Sequence, residues 1–165
     1  MLFRSTIPRQ YIEYWNTGDV KVMKSFFSRF YMISHGNRVV VDEAMLTRVV
    51  NAWRGSMPDL NFKIEDTITQ GNKVAMRLTF TGTYKTRLFA STGDPAKFDP
   101  PRHVRVGEML FFEFKDGKLW TIWEEYDELA MRTQMGAFWR TNEELDAAHK
   151  SAAPPKAPEM PAPKP

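Results

Sequence analysis

The stretch DGKLWTIWEEYDELA, residues 116–130, places two adjacent glutamates, Glu124 and Glu125, inside a run rich in aromatic residues. Read as a strand, successive side chains face opposite ways. One of the two carboxylates then shares a face with Trp120, Ile122 and Tyr126, and by parity it is Glu124. A carboxylate on an apolar face is costly when charged, so its pKa rises towards neutrality. Such a group suits the removal of a proton next to a carbonyl. A second reading is an ion pair with an arginine such as Arg77, because ion pairs also perturb carboxylates.

Other chemistry has little support. The chain contains no cysteine and no GxSxG elbow, which removes the usual nucleophile signatures. It has no glycine-rich phosphate loop. Its three histidines, His35, His103 and His149, are scattered and lack metal-ligand spacing. His103, at a loop end, and His149, near the tail, read as surface residues. Basic residues number 23 against 20 acidic, a net charge of +3 without a dense Lys/Arg stripe, so nucleic acid is not an expected partner. No run is long enough to cross a bilayer, and the N-terminal MLFRSTIPRQ does not read as a signal peptide. With no cysteine, the expected location is cytoplasmic.

The elements that must position these groups follow from periodicity. Ser5 or Thr6 with Pro8 in the first turn starts a helix carrying Ile7, Tyr11, Tyr14 and Trp15, which Asn16-Thr17-Gly18 ends. Asp19 caps a second helix with Val20, Met23, Phe26, Phe27 and Phe30 on one face. Residues 31–33 form a strand or an extended connection. Asp42 caps a third helix bearing Met45, Leu46, Val49, Val50 and Trp53, stopped around Gly55 and Pro58.

Four strands follow. Residues 60–69 put Leu60, Phe62, Ile64 and Ile68 on one face, and residues 74–84 do the same with Met76, Leu78 and Phe80. Residues 85–102 are a long irregular connection of the kind that often serves as a lid. Strands at 103–114 and 119–126 flank a Lys115-Asp116-Gly117-Lys118 hairpin turn. Asp127 caps a last short helix, 128–135, closed by Gly136, and is read as an N-cap rather than a catalyst. The fold class is α+β, with three N-terminal helices packed on an antiparallel sheet. VGEMLFFEF is apolar on both faces, so the second face is expected to meet another copy of the chain. One domain spans residues 1–150, with a core at about 6–136. Residues 151–165 form a disordered Ala/Pro-rich tail.

Three pieces, IEYWNTGD, MPDLNFKIEDTITQGNKVAMRLTFTGTY and FEFKDGKLWTIWEEYDELAMRTQMG, occur in an order and spacing that resemble the SnoaL-like polyketide cyclases, within the nuclear-transport-factor-2-like superfamily. The resemblance covers residues 6–136. It implies a cone, in which a curved antiparallel sheet wraps the helices around a pocket (a cystatin-like α+β barrel). It implies a homodimer through the sheet, no metal or organic cofactor, and a small hydrophobic molecule as partner. Characterised members close a ring by an intramolecular aldol condensation, relatives isomerise ketosteroids or open epoxides, and others only bind or interact.

The family's acid/base position, three residues before the aspartate that ends the last strand, falls on Glu124. The position of its partner histidine falls on Leu110, a departure that opens a non-catalytic binding reading. Glu108, two residues earlier on the same face, is either a second carboxylate or a solvated rim residue. His35, in ISHG, matches a place near the pocket mouth. Tyr14, Trp53, Tyr84, Leu110, Trp120, Ile122 and Tyr126 are the remaining candidates for contact with a hydrophobic ligand.

Overall fold

The computed structural model describes residues 2–23, 28–85 and 101–136. Residues 86–100 of the connection expected over 85–102, the tail, His149, Phe26 and Phe27 lie outside the described residues.

Helix α1, Leu2–Thr17, buries Ile7, Tyr11, Ile12, Tyr14 and Trp15, the 3.6-residue stripe of its sequence. It begins earlier than the Ser-Thr-Ile-Pro signal indicates, so Pro8 lies inside it. It ends as expected: Gly18 adopts φ 72° and its N–H bonds to the Tyr14 carbonyl at 2.8 Å. In the described part of the expected second helix stands a 3-10 turn, Val20–Met23, begun by Asp19, whose Oδ1 accepts from the Lys21 N–H at 2.9 Å. Phe30 belongs not to that helix but to strand β1, Phe30–Ser34.

β1 turns through His35 and Gly36, at φ 48° and 78°, into β2, Asn37–Val41. Two successive positive φ values make the tight hairpin turn whose twist matches the strands. Asp42 caps α2, Glu43–Ser56, accepting from the Met45 N–H at 2.8 Å. Then come β3 (Asn61–Gln70), β4 (Lys73–Tyr84), β5 (Arg102–Lys115) and β6 (Lys118–Tyr126), and finally α3 (Glu128–Gln134). Asp127 is the N-cap of α3, accepting from the Ala130 N–H at 2.8 Å.

The six strands form one sheet in the order β2-β1-β6-β5-β4-β3. The expected all-antiparallel sheet is in fact mixed, because β1 runs parallel to β6 while every other pair is antiparallel. Among the described residues, two α-helices and a 3-10 turn precede the long strands where three helices were expected, and α3 follows them as expected.

Alternation holds through most of the long strands. Val74, Met76, Leu78 and Phe80 of β4 are buried with Val104, Val106, Leu110 and Phe112 of β5 against the helices. Tyr11 of α1 sits at the centre, edge-on to Phe30 at 6.4 Å and to Phe112 at 5.7 Å. Burying each such ring contributes about 1.5–3 kcal/mol.

Two irregularities overturn face assignments. In β3 the register shifts between Ile64 and Asp66, one residue is skipped, and Ile68 ends on the outer face, 65% exposed, rather than beside Phe62. In β6, Leu119 pairs with Phe114 but Thr121 pairs with Glu113, so Trp120 is the extra residue of a bulge. Trp120 is thereby turned to the outer face, 5.5 Å from Tyr31 and 5.1 Å from the Lys115 Nζ. That face is apolar, as expected: Phe111 and Trp123 pack edge-on at 5.5 Å and Met109 is 60% exposed.

Candidate functional site

Between the helices and the inner sheet face lies a cavity of about 310 Å³. α1 contributes Tyr11, Ile12 and Trp15, and α2 contributes Met45, Leu46, Val49 and Trp53. These α2 residues fall at helical spacing, so the Asp42 cap sets which face of α2 they share. The sheet supplies Phe62, Phe80, Leu110 and Tyr126, the β1–β2 hairpin Met32, Val39 and Val41, and α3 Met131. Into this apolar lining project two carboxylates, Glu108 and Glu124. No lysine or arginine is among the described lining residues.

The register explains how the carboxylates meet. Leu110 stands directly opposite Glu124, and Glu108 opposite Tyr126. Glu108 and Glu124 are therefore diagonal neighbours on one face, within mutual electrostatic reach. Glu108 is only 6% exposed. The rim reading of Glu108 fails because β5 runs from Arg102 to Lys115, which makes Glu108 mid-strand rather than a solvated strand end. Strict alternation with Leu110, Phe112 and Phe114 is the signal that places it inside.

Burial pushes the Glu108 carboxyl well above the usual carboxylate range, and the neighbouring charge of Glu124 pushes the same way. Glu124 is also raised, first by burial and less by the charge of Glu125. Two influences oppose this: the nearby Ser34 hydroxyl and the proximity of His35. Two close carboxylates do not both ionise readily. The influences that favour charge gather around Glu124, so Glu108 is the carboxyl raised further.

Two phenols complete the polar set. The Tyr126 phenol is raised above its ordinary value, chiefly by burial and then by Glu124. The Tyr11 phenol is raised by burial and then by Glu124, opposed slightly by the Trp15 indole nearby. That indole does not reach hydrogen-bond geometry, and the buried Tyr11 hydroxyl has no partner among the described residues. A buried hydroxyl without a partner costs about 1–3 kcal/mol.

The structure brings some expected contact residues to the cavity and not others. Glu124, Trp53, Leu110 and Tyr126 line it. His35 lies just outside, its ring edge-on to Tyr126 at 4.7 Å. Tyr14 is fully buried in the core and donates its hydroxyl to Thr47 Oγ1 at 3.2 Å. Tyr84 and Ile122 are core residues off the cavity, and Trp120 is on the opposite sheet face. Arg77 is no partner for Glu124: it pairs with Met109 on the outer face and influences Glu65. Tyr11 was legible only as one of a helix's apolar stripe, since nothing in the spacing marks its hydroxyl as unsatisfied. Among the described residues no cluster of three or more His, Asp or Glu side chains has the arrangement of a metal site, and no helix is long and apolar enough to cross a membrane.

Solved structures share this architecture. AclR of Streptomyces galilaeus, described as a proposed hydroxylase, superposes with a TM-score of 0.65 at 19% identity, covering 82% of this chain and 97% of its own. IdmH of Streptomyces antibioticus, a proposed polyketide cyclase, superposes at 0.63 and 19% identity, covering 81% and 98%. A Catenulispora acidiphila protein with a ketosteroid isomerase-like fold superposes at 0.59 and 10% identity, covering 81% and 96%. At such identities these likenesses show the fold alone. No curated protein matches the chain. The sequence model of the SnoaL-like polyketide cyclases matches residues 5–135, so the chain belongs to the SnoaL-like polyketide cyclase family.

Proposed function

We propose that this protein is a cyclase- or isomerase-type enzyme that moves protons on a small, neutral, hydrophobic carbonyl compound held in the cavity. The observation that carries the reading is the buried, unpartnered Tyr11 hydroxyl in an apolar chamber that also holds Glu108 and Glu124. An evolved fold tolerates an orphaned polar group where a ligand satisfies it. Two carboxylates with no cation in the lining disfavour an anionic ligand.

In this mechanism the ionised Glu124 removes a proton from the carbon next to the carbonyl. Tyr11 and protonated Glu108 donate hydrogen bonds to the oxygen, where negative charge develops as the enolate forms. The enolate carbon then attacks a second carbonyl of the same molecule, or is reprotonated at another carbon. In either case Glu124 returns the proton it took, to the new alkoxide or to carbon, so the balance closes. Leu110, at the family's histidine position, offers no donor; Glu108, its neighbour on the same face, supplies one instead.

Deuterium exchange tests this directly. Neutral aryl ketones and 1,3-diketones are incubated with the protein in D2O, and loss of the α-proton signal is followed by NMR. Tyr11→Phe is expected to slow exchange by about 10²–10³ and, by removing the orphaned hydroxyl, to stabilise the fold by about 1 kcal/mol. That gain corresponds to a rise in midpoint of about 2–4 °C. Compounds that bind without any exchange would favour the binding-module reading, which the Leu110 substitution supports.

The second part of the proposal concerns assembly. The outer face, with Met109, Phe111 and Trp123, packs against the same face of a second copy. Light scattering is expected to give twice the 19.2 kDa of one chain. Met109→Lys should shift the protein towards monomer, and a wild-type monomer in dilute solution would refute the arrangement.

A further inference from the structure

We propose that the cavity also takes a hydrophobic ammonium ion, a protonated tertiary amine with an aryl group a few bonds away, in competition with the neutral carbonyl compound; this rests on the reading of the cavity as a ligand site and not on catalysis. Glu108 and Glu124 are diagonal neighbours on the inner sheet face, and both line the cavity. Neither belongs to an ion pair among the described residues, and the described lining holds no lysine, arginine or histidine. Two buried carboxylates in an apolar chamber lack the counter-ion that would offset their desolvation. A neutral ligand leaves them so, whereas an ammonium supplies the missing charge.

The rest of the lining selects the kind of cation. Tyr11 is buried and lines the same cavity, and its hydroxyl has no partner among the described residues. Both carboxylates act on that phenol, so its oxygen lone pairs belong to the acidic end and face the bound cation there. Tyr126, directly opposite Glu108, adds a second phenol ring. Ring faces attract cations, and the thioethers of Met32 and Met131 are polarisable neighbours for N-methyl groups. A primary ammonium needs acceptors for three N–H groups, a tertiary one for a single N–H, which suits so apolar a lining.

The opposite end is aromatic. Trp15, Phe62, Phe80 and Trp53 form a continuous row of rings, with successive centroids 5.5, 5.4 and 6.3 Å apart. Glu108 pairs with Leu78 and Val106 with Phe80, so Phe80 is a diagonal neighbour of Glu108, about 7–8 Å away by strand geometry. A short alkyl chain bridges that span and delivers an aryl group to the row. Val39 lines the cavity yet is 40% exposed, so the chamber opens to solvent beside β2.

A cation beside the pair favours its ionised form, and both carboxyls are raised in the free protein, chiefly by burial. Binding therefore expels protons wherever a carboxyl is still protonated. Affinity rises with pH up to the carboxyl pKa values and then levels. The other titratable groups acting around the pair are Tyr11 on α1, His35 in the β1–β2 turn, and Glu125 and Tyr126 on β6, with Glu128 and Arg132 of α3 acting on Tyr126. The lining residues of α2 carry none.

Titration calorimetry on the full chain compares dimethyl(phenylpropyl)amine, protonated at neutral pH, with its neutral isostere methyl phenylpropyl ketone. The ammonium is expected to bind about 10–100-fold tighter and to displace the ketone. It should also release protons, read as a binding enthalpy that varies with the ionisation enthalpy of the buffer, while the ketone releases none. Either single glutamine variant leaves one carboxylate for the cation, so the decisive protein is the double variant Glu108→Gln, Glu124→Gln. It should hold ketone affinity within about threefold and lose the preference for the ammonium. Equal affinities in the wild type, simultaneous binding of both ligands, or a preference that survives the double variant would overturn the assignment. No turnover is needed. Ketone binding without α-proton exchange would sink the enzymatic reading and leave this one standing, and exchange without any ammonium preference would do the reverse.

Discussion

Glu124→Gln should abolish proton transfer while leaving the ligand bound. A positioned general base contributes about 10²–10⁴ in rate, so α-proton exchange is expected to fall by at least about two orders of magnitude. The glutamine keeps the volume and hydrogen-bonding capacity of the side chain, so affinity for the carbonyl compound should change little. Stability should stay level or rise, because the change removes a carboxylate held in an apolar cavity where its charge is disfavoured. The opposite sign is expected of a structural ion pair, where the lost charge strands its partner. None of the three ion pairs among the described residues, Lys63–Glu65, Lys73–Glu113 and Arg132–Glu128, involves Glu124. Exchange kinetics with thermal melting measure both quantities. A clear loss of stability, with no ligand or exchange reaction affected, would remove Glu124 from the base role.

The pH dependence of stability should carry the mark of Glu108, and the expected effect is large because Glu108 is the more deeply buried carboxyl. Its folded-state pKa lies well above the ordinary value of 4.5. Below 4.5 both folded and unfolded chains hold the proton, and its stabilising contribution is fully present. As pH rises, the unfolded chain ionises first, and that contribution is lost up to the folded pKa. Asp59 acts in the opposite direction. Its carboxyl is lowered from 3.8, because it accepts from the Thr83 hydroxyl at 2.6 Å and from the Thr83 N–H at 2.7 Å. Its contribution is present above 3.8 and is lost as pH falls. Glu108→Gln should therefore gain stability relative to wild type steadily between pH 4 and the folded pKa, and show no such gain below pH 4. Urea denaturation across a pH series checks this. A wild-type-minus-variant difference that is flat with pH would mean that Glu108 titrates as it does in the unfolded chain.

What the amino-acid order determined by itself was whatever depends on neighbours a few positions away. Alternation along residues 74–84 assigned the inner face of β4 correctly, and Asp42 and Asp127 are the caps that their positions before apolar runs indicate. Parity placed Glu124 with Tyr126 and Ile122, and the helical stripe of Ile7, Tyr11, Tyr14 and Trp15 is buried. Other features were decided only by the tertiary structure. Alternation counts residues, and a bulge inserts one that the count cannot see, so Trp120 and Ile68 fell on the wrong face. The edge strand β2 is largely exposed and carries no half-buried rhythm, so it escaped notice, and with it the hairpin that sets β1 parallel to β6 and Ser34 against Glu124. Burial and satisfaction are sums over neighbours distant in the chain. The seclusion of Glu108 and the orphaned hydroxyl of Tyr11 therefore exist only once α1, α2 and the sheet close around the same cavity.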